Sequence, residues 1–130
     1  MAGFYSVMPR DKINRRIEGM FRKKGTADKR QVMEGAYLST LVHGEKTLMA
    51  QFSIARGSVI PPHSHPHEQT GFMVSGKLRF KVEDEILEVE PGDSWCIPGD
   101  AEHSVDALED SVVIEVFSPV REDYLPSPRC

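Results

Sequence analysis

The chain has 130 residues, of which 39% are hydrophobic, and it contains nine prolines, ten glycines and two cysteines. This length suits one domain with its own core, and the two cysteines, Cys96 and Cys130, are too few for a disulfide framework. No segment reaches the roughly 18–20 apolar residues of a membrane-spanning helix, and the first residues lack the apolar run of a signal peptide. We therefore expect a cytoplasmic protein without a membrane partner.

The net charge of −4 is unevenly distributed along the chain. Residues 1–30 carry nine Lys/Arg against three Asp/Glu, whereas residues 31–130 carry seven against seventeen. A basic arm can bind nucleic acid, but this one lacks aromatic interleaving and a helix-turn-helix pattern, so we interpret it as a solvated segment over an acidic body. The sequence thus predicts a basic N-terminal extension, residues 1–30, with a short helical turn in residues 11–24, and a single domain, residues 31–130.

Beyond residue 31 the apolar residues recur at every second position, which is the period of a half-buried β-strand. Residues 48–54 and 78–82 show this alternation, residues 83–85 read as an acidic turn, and a last run, residues 110–119, closes the pattern. About eight short strands separated by Gly, Pro and Asp turns are typical of a sandwich or barrel. The predicted fold class is all-β.

Three histidines stand at alternate positions in the segment GSVIPPHSHPHEQTGFMVSG. His63 and His65 should project to the same side of a strand, where two imidazoles can bind one transition metal. His67 and Gln69 also stand at odd-numbered positions, so the alternation alone would place them on the same side as His63 and His65. Pro66 interrupts the strand, however, and we expect His67 not to be a ligand. The alternative is that these are ordinary surface histidines.

A second segment, EPGDSWCIPGDAEHS, places His103 after two Pro-Gly turns and a short strand. A ligand delivered from a neighbouring strand would close a site that no local segment can build, although His103 could instead cap a loop. On the same strand we expect Trp95 in the barrel wall or a dimer interface rather than stacked on a sugar, and Cys96 as a small buried residue.

The two segments together resemble the two motifs of the cupin superfamily. The first is written G-x5-H-x-H-x3,4-E-x6-G, and Gly57, His63, His65 and Gly76 stand at its spacings, with Gln69 at the glutamate position.

The second motif, G-x5-P-x-G-x2-H-x3-N, is matched by Gly92, Pro98 and His103, while Asp100 replaces a glycine and Ala107 replaces the asparagine. The resemblance implies a double-stranded β-helix, or jelly-roll barrel, commonly dimeric, that binds one divalent transition metal such as Ni, Zn, Mn or Fe. The implied metal ligands are His63, His65, Gln69 and His103. An empty, degenerate site is the alternative.

A narrower resemblance links HSHPHEQ and VVIEVFSPVREDYL to the small single-domain cupins of the pectin-degradation type, the KdgF-like group. Members promote conversion of 4,5-unsaturated monouronates into open-chain keto-uronates, with a carboxylate and an arginine beside the metal. The resemblance implies catalytic roles for Glu115 and Arg121, and substrate contacts from Phe117 and Arg121, although Glu115 stands where the group usually has Asp. Alternatively, Arg121 pairs with a neighbouring acid at the surface and Glu115 faces outward.

Three functions are consistent with these residues. The first is a metal-dependent, isomerase-like enzyme acting on a small anionic sugar acid. The second keeps the site but uses iron for oxygen chemistry, and the third is a ligand-binding or sensory barrel without turnover. We expect a homodimer and no nucleic-acid partner.

Overall fold

Ten β-strands organise the part of the chain described by a computed structural model, residue 17 and residues 19–126. The strands are β1 (Lys29–Met33), β2 (Ala36–His43), β3 (Leu48–Ile54), β4 (Val59–His63), β5 (Glu68–Ser75), β6 (Leu78–Val82), β7 (Glu85–Val89), β8 (Ser94–Ile97), β9 (His103–Ala107) and β10 (Ser111–Ser118). A 3-10 helix, Glu122–Tyr124, follows β10.

The strands form two antiparallel sheets. The six-stranded sheet has the order β1-β2-β3-β10-β5-β8, and the four-stranded sheet has the order β4-β9-β6-β7. Non-consecutive neighbours such as β10 between β3 and β5 give the crossovers of a jelly roll. The predicted all-β, double-stranded β-helix fold is confirmed.

The hydrophobic core lies between the inner faces of the two sheets. Strand β3 alternates buried and half-buried positions along its length, as the period-two pattern of residues 48–54 predicts. Strand β10 alternates in the same way, so that Val113, Glu115 and Phe117 all point inward. The core consists of Leu38, Leu48, Ala50, Phe52, Ile54, Met73, Leu78, Phe80, Val89, Ile97, Val105, Ala107, Val113 and Phe117.

The sequence underestimates the number of strands and misplaces one side chain. Strand β4 contains Pro61 and Pro62, which are atypical of strands, but it lies at the edge of its sheet, where proline is tolerated. The prediction that Cys96 is buried is wrong, because Trp95 points inward and its neighbour Cys96 therefore lies exposed on the outer face.

The N-terminal predictions are only partly covered by the described residues. The predicted helical turn lies mostly outside them, and Phe21, within its last turn, is exposed and not helical. Strand β1 begins at Lys29, two residues before the predicted start of the domain, and the division at residue 31 stays a prediction. No helix among the described residues is long and apolar enough to span a membrane.

Candidate metal centre and its cavity

Three histidines meet where strands β4 and β9 pair. His63 ends β4 and lies opposite His103, the first residue of β9, while His65 lies in the loop that follows β4. The ring centroids of His63 and His103 are 4.2 Å apart, and those of His65 and His103 are 5.0 Å apart. One ligand nitrogen from each ring lies within 4.8 Å of the others, so the three side chains could hold a metal ion.

Backbone carbonyls fix the orientation of all three rings. Each Nδ1 lies within hydrogen-bond distance of one carbonyl oxygen; in the tautomer that can bind a metal, each Nδ1–H donates to that oxygen and each Nε2 keeps its lone pair. The accepting oxygens belong to Pro61, at 2.9 Å from His63, to His67, at 3.0 Å from His65, and to Ala101, at 2.8 Å from His103. The buried Nε2 of His103 has no hydrogen-bond partner among the described residues, as a metal ligand would in the absence of its ion.

Burial favours the neutral form of two of the three histidines, His65 and His103. His65 is 8% exposed and His103 is 2% exposed. Desolvation lowers the pKa of both imidazoles below the ordinary histidine value, and the positive charge of Arg121 lowers both further. Because only the neutral ring binds a metal, both side chains are ready to do so at neutral pH.

Gln69, on strand β5, lies between the histidines and a buried carboxylate. Its Oε1 lies 3.0 Å from Nε2 of His65, and its amide group hydrogen-bonds to Glu115. The amide N–H therefore donates to the carboxylate, while the amide oxygen faces the histidines. A glutamate at this position would bring two buried carboxylates into contact, which explains why an amide stands there.

Glu115 is a carboxylic acid inside the barrel. Its side chain is 4% exposed and lies between the inward-facing Val113 and Phe117 on β10. Burial raises the pKa of Glu115 to about 8, although hydrogen bonds from Gln69 and Trp95 act in the opposite direction. A carboxyl group with such a pKa can exchange a proton near neutral pH.

Arg121 is held at the cavity by an acid and an aromatic ring. Its Nε and Nη2 donate to the two carboxylate oxygens of Asp123 at 3.1 and 2.9 Å, and its guanidinium carbon lies 3.9 Å from the ring centroid of Tyr124. The predicted pairing with a neighbouring acid is present, yet the Arg121 side chain is only 14% exposed. The edge formed by Nη1 and Nη2 stays available for a ligand carboxylate.

Most of these groups border one cavity of about 520 Å³, although His65 is not part of its lining. Its polar lining includes His63, Gln69, His103, Glu115 and Arg121. The rest of the lining is largely apolar, with residues such as Phe52, Phe80 and Val105. A volume of this size suits a small organic ligand.

Comparison with known proteins decides the family. The cupin domain model matches residues 50–118, more than half of the chain. The chain belongs to the cupin family. The structure of KdgF from Halomonas sp. superimposes with a TM-score of 0.77 at 34% identity, covering 81% of this chain and 97% of that one.

Two further proteins are similar to this chain, one in sequence and one in fold. The pectin degradation protein KdgF of Dickeya dadantii (strain 3937) is 29% identical over 94 residues, which cover 71% of this cupin and 86% of the relative. An RmlC-like cupin from Shewanella frigidimarina NCIMB 400 has a TM-score of 0.77 at 23% identity, over 81% of this chain and 95% of that one, and supports the fold alone. The chain is a KdgF-like cupin, as its motifs predict.

One departure from the second cupin motif has a clear structural explanation. Asp100 occupies the usual glycine position and adopts a left-handed conformation with φ = 68°. Aspartate tolerates this region better than most residues, and the Asp100 amide donates to the carbonyl oxygen of His65 at 2.7 Å. The loop before His103 is thereby tied to the loop that carries His65.

The sequence gives no indication of two of the contacts in this cavity. Tyr124 under the Arg121 guanidinium and Trp95 beside Glu115 both depend on tertiary packing. The only usable signal for Trp95 is parity on β8, because an inward Trp95 follows from an inward Ile97. His67, which we expect not to be a ligand, is outside the cluster of three histidines.

Replacing Gln69 with glutamate in this cupin should tighten metal binding and reduce turnover. A carboxylate offsets part of the metal charge, which strengthens metal binding. It also repels the Glu115 carboxylate and removes the amide N–H that donates a hydrogen bond to Glu115. Competition with a chelator measures the first effect, and steady-state kinetics measures the second. If neither metal affinity nor turnover changes, Gln69 is not a ligand; Thr70→Ala, on the outer face of the same strand, is the control.

Proposed function

We propose that this cupin is a metal-dependent enzyme that converts 4,5-unsaturated monouronates into open-chain keto-uronates. The observation that supports the proposal is one cavity lined by a buried acid, an arginine and two histidines of the three-histidine cluster. Similarity to KdgF proteins, one of which is named for pectin degradation, points to the same substrate class. The proposed ligands are His63, His65, Gln69 and His103.

The donor set suits one divalent transition metal such as Ni, Zn, Mn or Fe. Three neutral imidazoles and an amide oxygen leave positions open for substrate oxygens. When bound, the metal supplies a Lewis acid that polarises those oxygens. The net charge of the ion would not be offset by these four neutral ligands, which favours an anionic substrate.

Arg121 is proposed to bind and orient the substrate. A uronate carboxylate can accept two parallel hydrogen bonds from the guanidinium edge that Asp123 leaves free. Phe117 lies below the guanidinium, at 5.1 Å from its carbon to the ring centroid, and packs against the His65 ring. Because Phe117 also lines the cavity, it is proposed to contact the apolar side of the sugar there.

Glu115 is proposed to carry the proton. Opening the ring removes the proton of the hemiacetal hydroxyl, breaks the bond between the hemiacetal carbon and the ring oxygen, and leaves an enolate, which becomes the ketone when a proton adds to carbon. One carboxyl group can take the first proton and return it to carbon, so the enzyme is restored without a co-reactant. A pKa of about 8 makes both transfers accessible at neutral pH.

The deciding experiment is turnover of purified 4,5-unsaturated monogalacturonate, followed by loss of its ultraviolet absorbance and by NMR of the keto product. The metal-loaded protein should accelerate the reaction, and chelator-treated protein should not. Conversion no faster than the spontaneous reaction would refute the proposal. Iron in the purified protein together with substrate-dependent oxygen consumption would instead support oxygen chemistry.

Replacing Arg121 with alanine should raise the KM for the uronate about 10- to 100-fold, with a smaller effect on kcat, because a charge-assisted hydrogen-bonded pair contributes roughly 1.5–3 kcal/mol. The matched control is Arg79→Ala, which removes an exposed arginine that pairs with Glu88 on the four-stranded sheet. An unchanged KM in Arg121→Ala would remove this residue from the substrate site.

A homodimer and a cytoplasmic location stay predictions.

A further inference from the structure

Trp95 reaches the Glu115 carboxylate across an intervening strand. Strands β8, β5 and β10 are adjacent in the six-stranded sheet, and Gly71 on β5 pairs with Trp95 on one side and with Glu115 on the other. Two strand spacings separate the outer pair, about 10 Å between their backbones. The indole Nε1 nevertheless lies 3.3 Å from both carboxylate oxygens of Glu115.

The missing side chain of Gly71 makes this contact geometrically feasible. A Cβ atom at this position would lie 2.2 Å from Nε1 of Trp95 and 2.3 Å from the next ring carbon, closer than any real contact. The indole therefore occupies the space above β5 that a larger residue would fill. Phe80, from the facing sheet, packs on the indole with ring centroids 4.8 Å apart and restricts its rotation.

The hydrogen bond satisfies a group that is otherwise costly to bury. A carboxylate that is 4% exposed needs donors, and Trp95 and Gln69 provide them. Because indole has an N–H and no lone pair, it can only donate, and it cannot take the proton that Glu115 moves. Its contribution is to position and orient the carboxyl group and, as a donor, to favour the ionised form of that group.

We propose that Trp95 is a positioning residue that holds the Glu115 carboxylate towards the substrate, and that Gly71 is required because the indole crosses it. This inference rests on the proposed function, since it assigns Trp95 a role through a proton-carrying Glu115. It extends that function to a residue that is outside the cluster of three histidines.

The first test is Trp95→Phe in the metal-loaded protein, assayed with 4,5-unsaturated monogalacturonate. The variant keeps an aromatic ring against Phe80 but loses the N–H. We expect kcat to fall about 10- to 100-fold, the range that a hydrogen bond to a charged group supports, with KM within about twofold of the wild type. Metal content should not change. A loss confined to KM, or no loss, would overturn the inference.

A double-mutant cycle separates positioning from general damage to the barrel. In a Glu115→Gln background, Trp95→Phe should lower the residual kcat by less than about twofold, because the group through which it acts is already gone. An equal loss in both backgrounds would show that Trp95 acts through the fold rather than through Glu115, and would overturn the inference.

Fluorescence tests the contact without any turnover. Trp95 is the single tryptophan of the chain, so emission reports on its surroundings alone. Glu115→Gln and Gly71→Ala should each change the emission spectrum, and Thr70→Ala, one position from Gly71 on the outer face of β5, should not. If the wild type fails to convert uronates, the proposed function is refuted, but this experiment still tests the contact between Trp95 and Glu115. Unchanged emission in both variants would overturn the inference by itself.

Discussion

Replacing His103 with alanine should remove the metal and abolish turnover while leaving a folded barrel. The His103 ring is 2% exposed, and its free Nε2 lies among the ligand nitrogens of His63 and His65. Loss of one of three imidazoles should weaken metal binding by more than about 100-fold, since removing a group that only hydrogen-bonds to a metal ligand already costs about 10- to 100-fold. Elemental analysis after dialysis measures retention, and circular dichroism checks the fold.

The chain provides two matched controls for this experiment. His43 lies exposed at the end of β2, and His67 neighbours His65 without belonging to the cluster. His43→Ala and His67→Ala should retain as much metal as the wild type. Stoichiometric metal in His103→Ala would refute the ligand assignment, and loss of metal in His67→Ala would add His67 to the ligand set.

Replacing Glu115 with glutamine should lower kcat about 10²- to 10⁴-fold, the usual contribution of a positioned proton-transfer group. Glutamine preserves the size of the side chain and one acceptor oxygen but cannot carry the proton. Steady-state kinetics with the monouronate measures the loss. Glu115→Asp is the informative control, because it restores an acid that is one carbon shorter and should recover part of the activity. Activity in Glu115→Gln close to that of the wild type would exclude Glu115 as the proton carrier.

The same substitution should also change how stability depends on pH. The pKa of Glu115 is about 8 in the folded protein, against an ordinary value of 4.5. Between these values the folded state holds a proton that the unfolded state has lost, so the free energy of unfolding decreases as the pH rises, by about 1.4 kcal/mol per unit at most. In metal-free protein, Glu115→Gln should therefore raise the Tm at about pH 9 and change it little at about pH 5. An equal difference at both pH values would contradict a raised pKa for Glu115.

The fold and the histidine cluster are largely predictable because their signals are local. Alternation along residues 48–54 reports on the inner face of that strand directly, since successive side chains point to opposite faces. The same rule groups Glu115 with Val113 and Phe117 on one face of β10, but both faces of that strand carry apolar residues, so the structure is needed to show that this face is the inner one. It fails for Cys96 because a four-residue strand contains too few positions for a pattern to show which face is buried.

The contacts between inward-facing residues depend on the tertiary structure. Nothing in the sequence indicates that Trp95, Gly71 and Glu115 share one row across three strands, since strand order and register come from the packing of the whole sheet. The amide of Gln69 between His65 and Glu115, and the Asp123–Arg121–Tyr124 arrangement, depend on the same long-range pairing. The all-β fold and the candidate histidines are predictable from spacing within single segments, but the cluster itself joins the end of β4, the loop after it and the start of β9. Contacts between strands that are distant in sequence are set by the collective burial of the core, which no single segment contains.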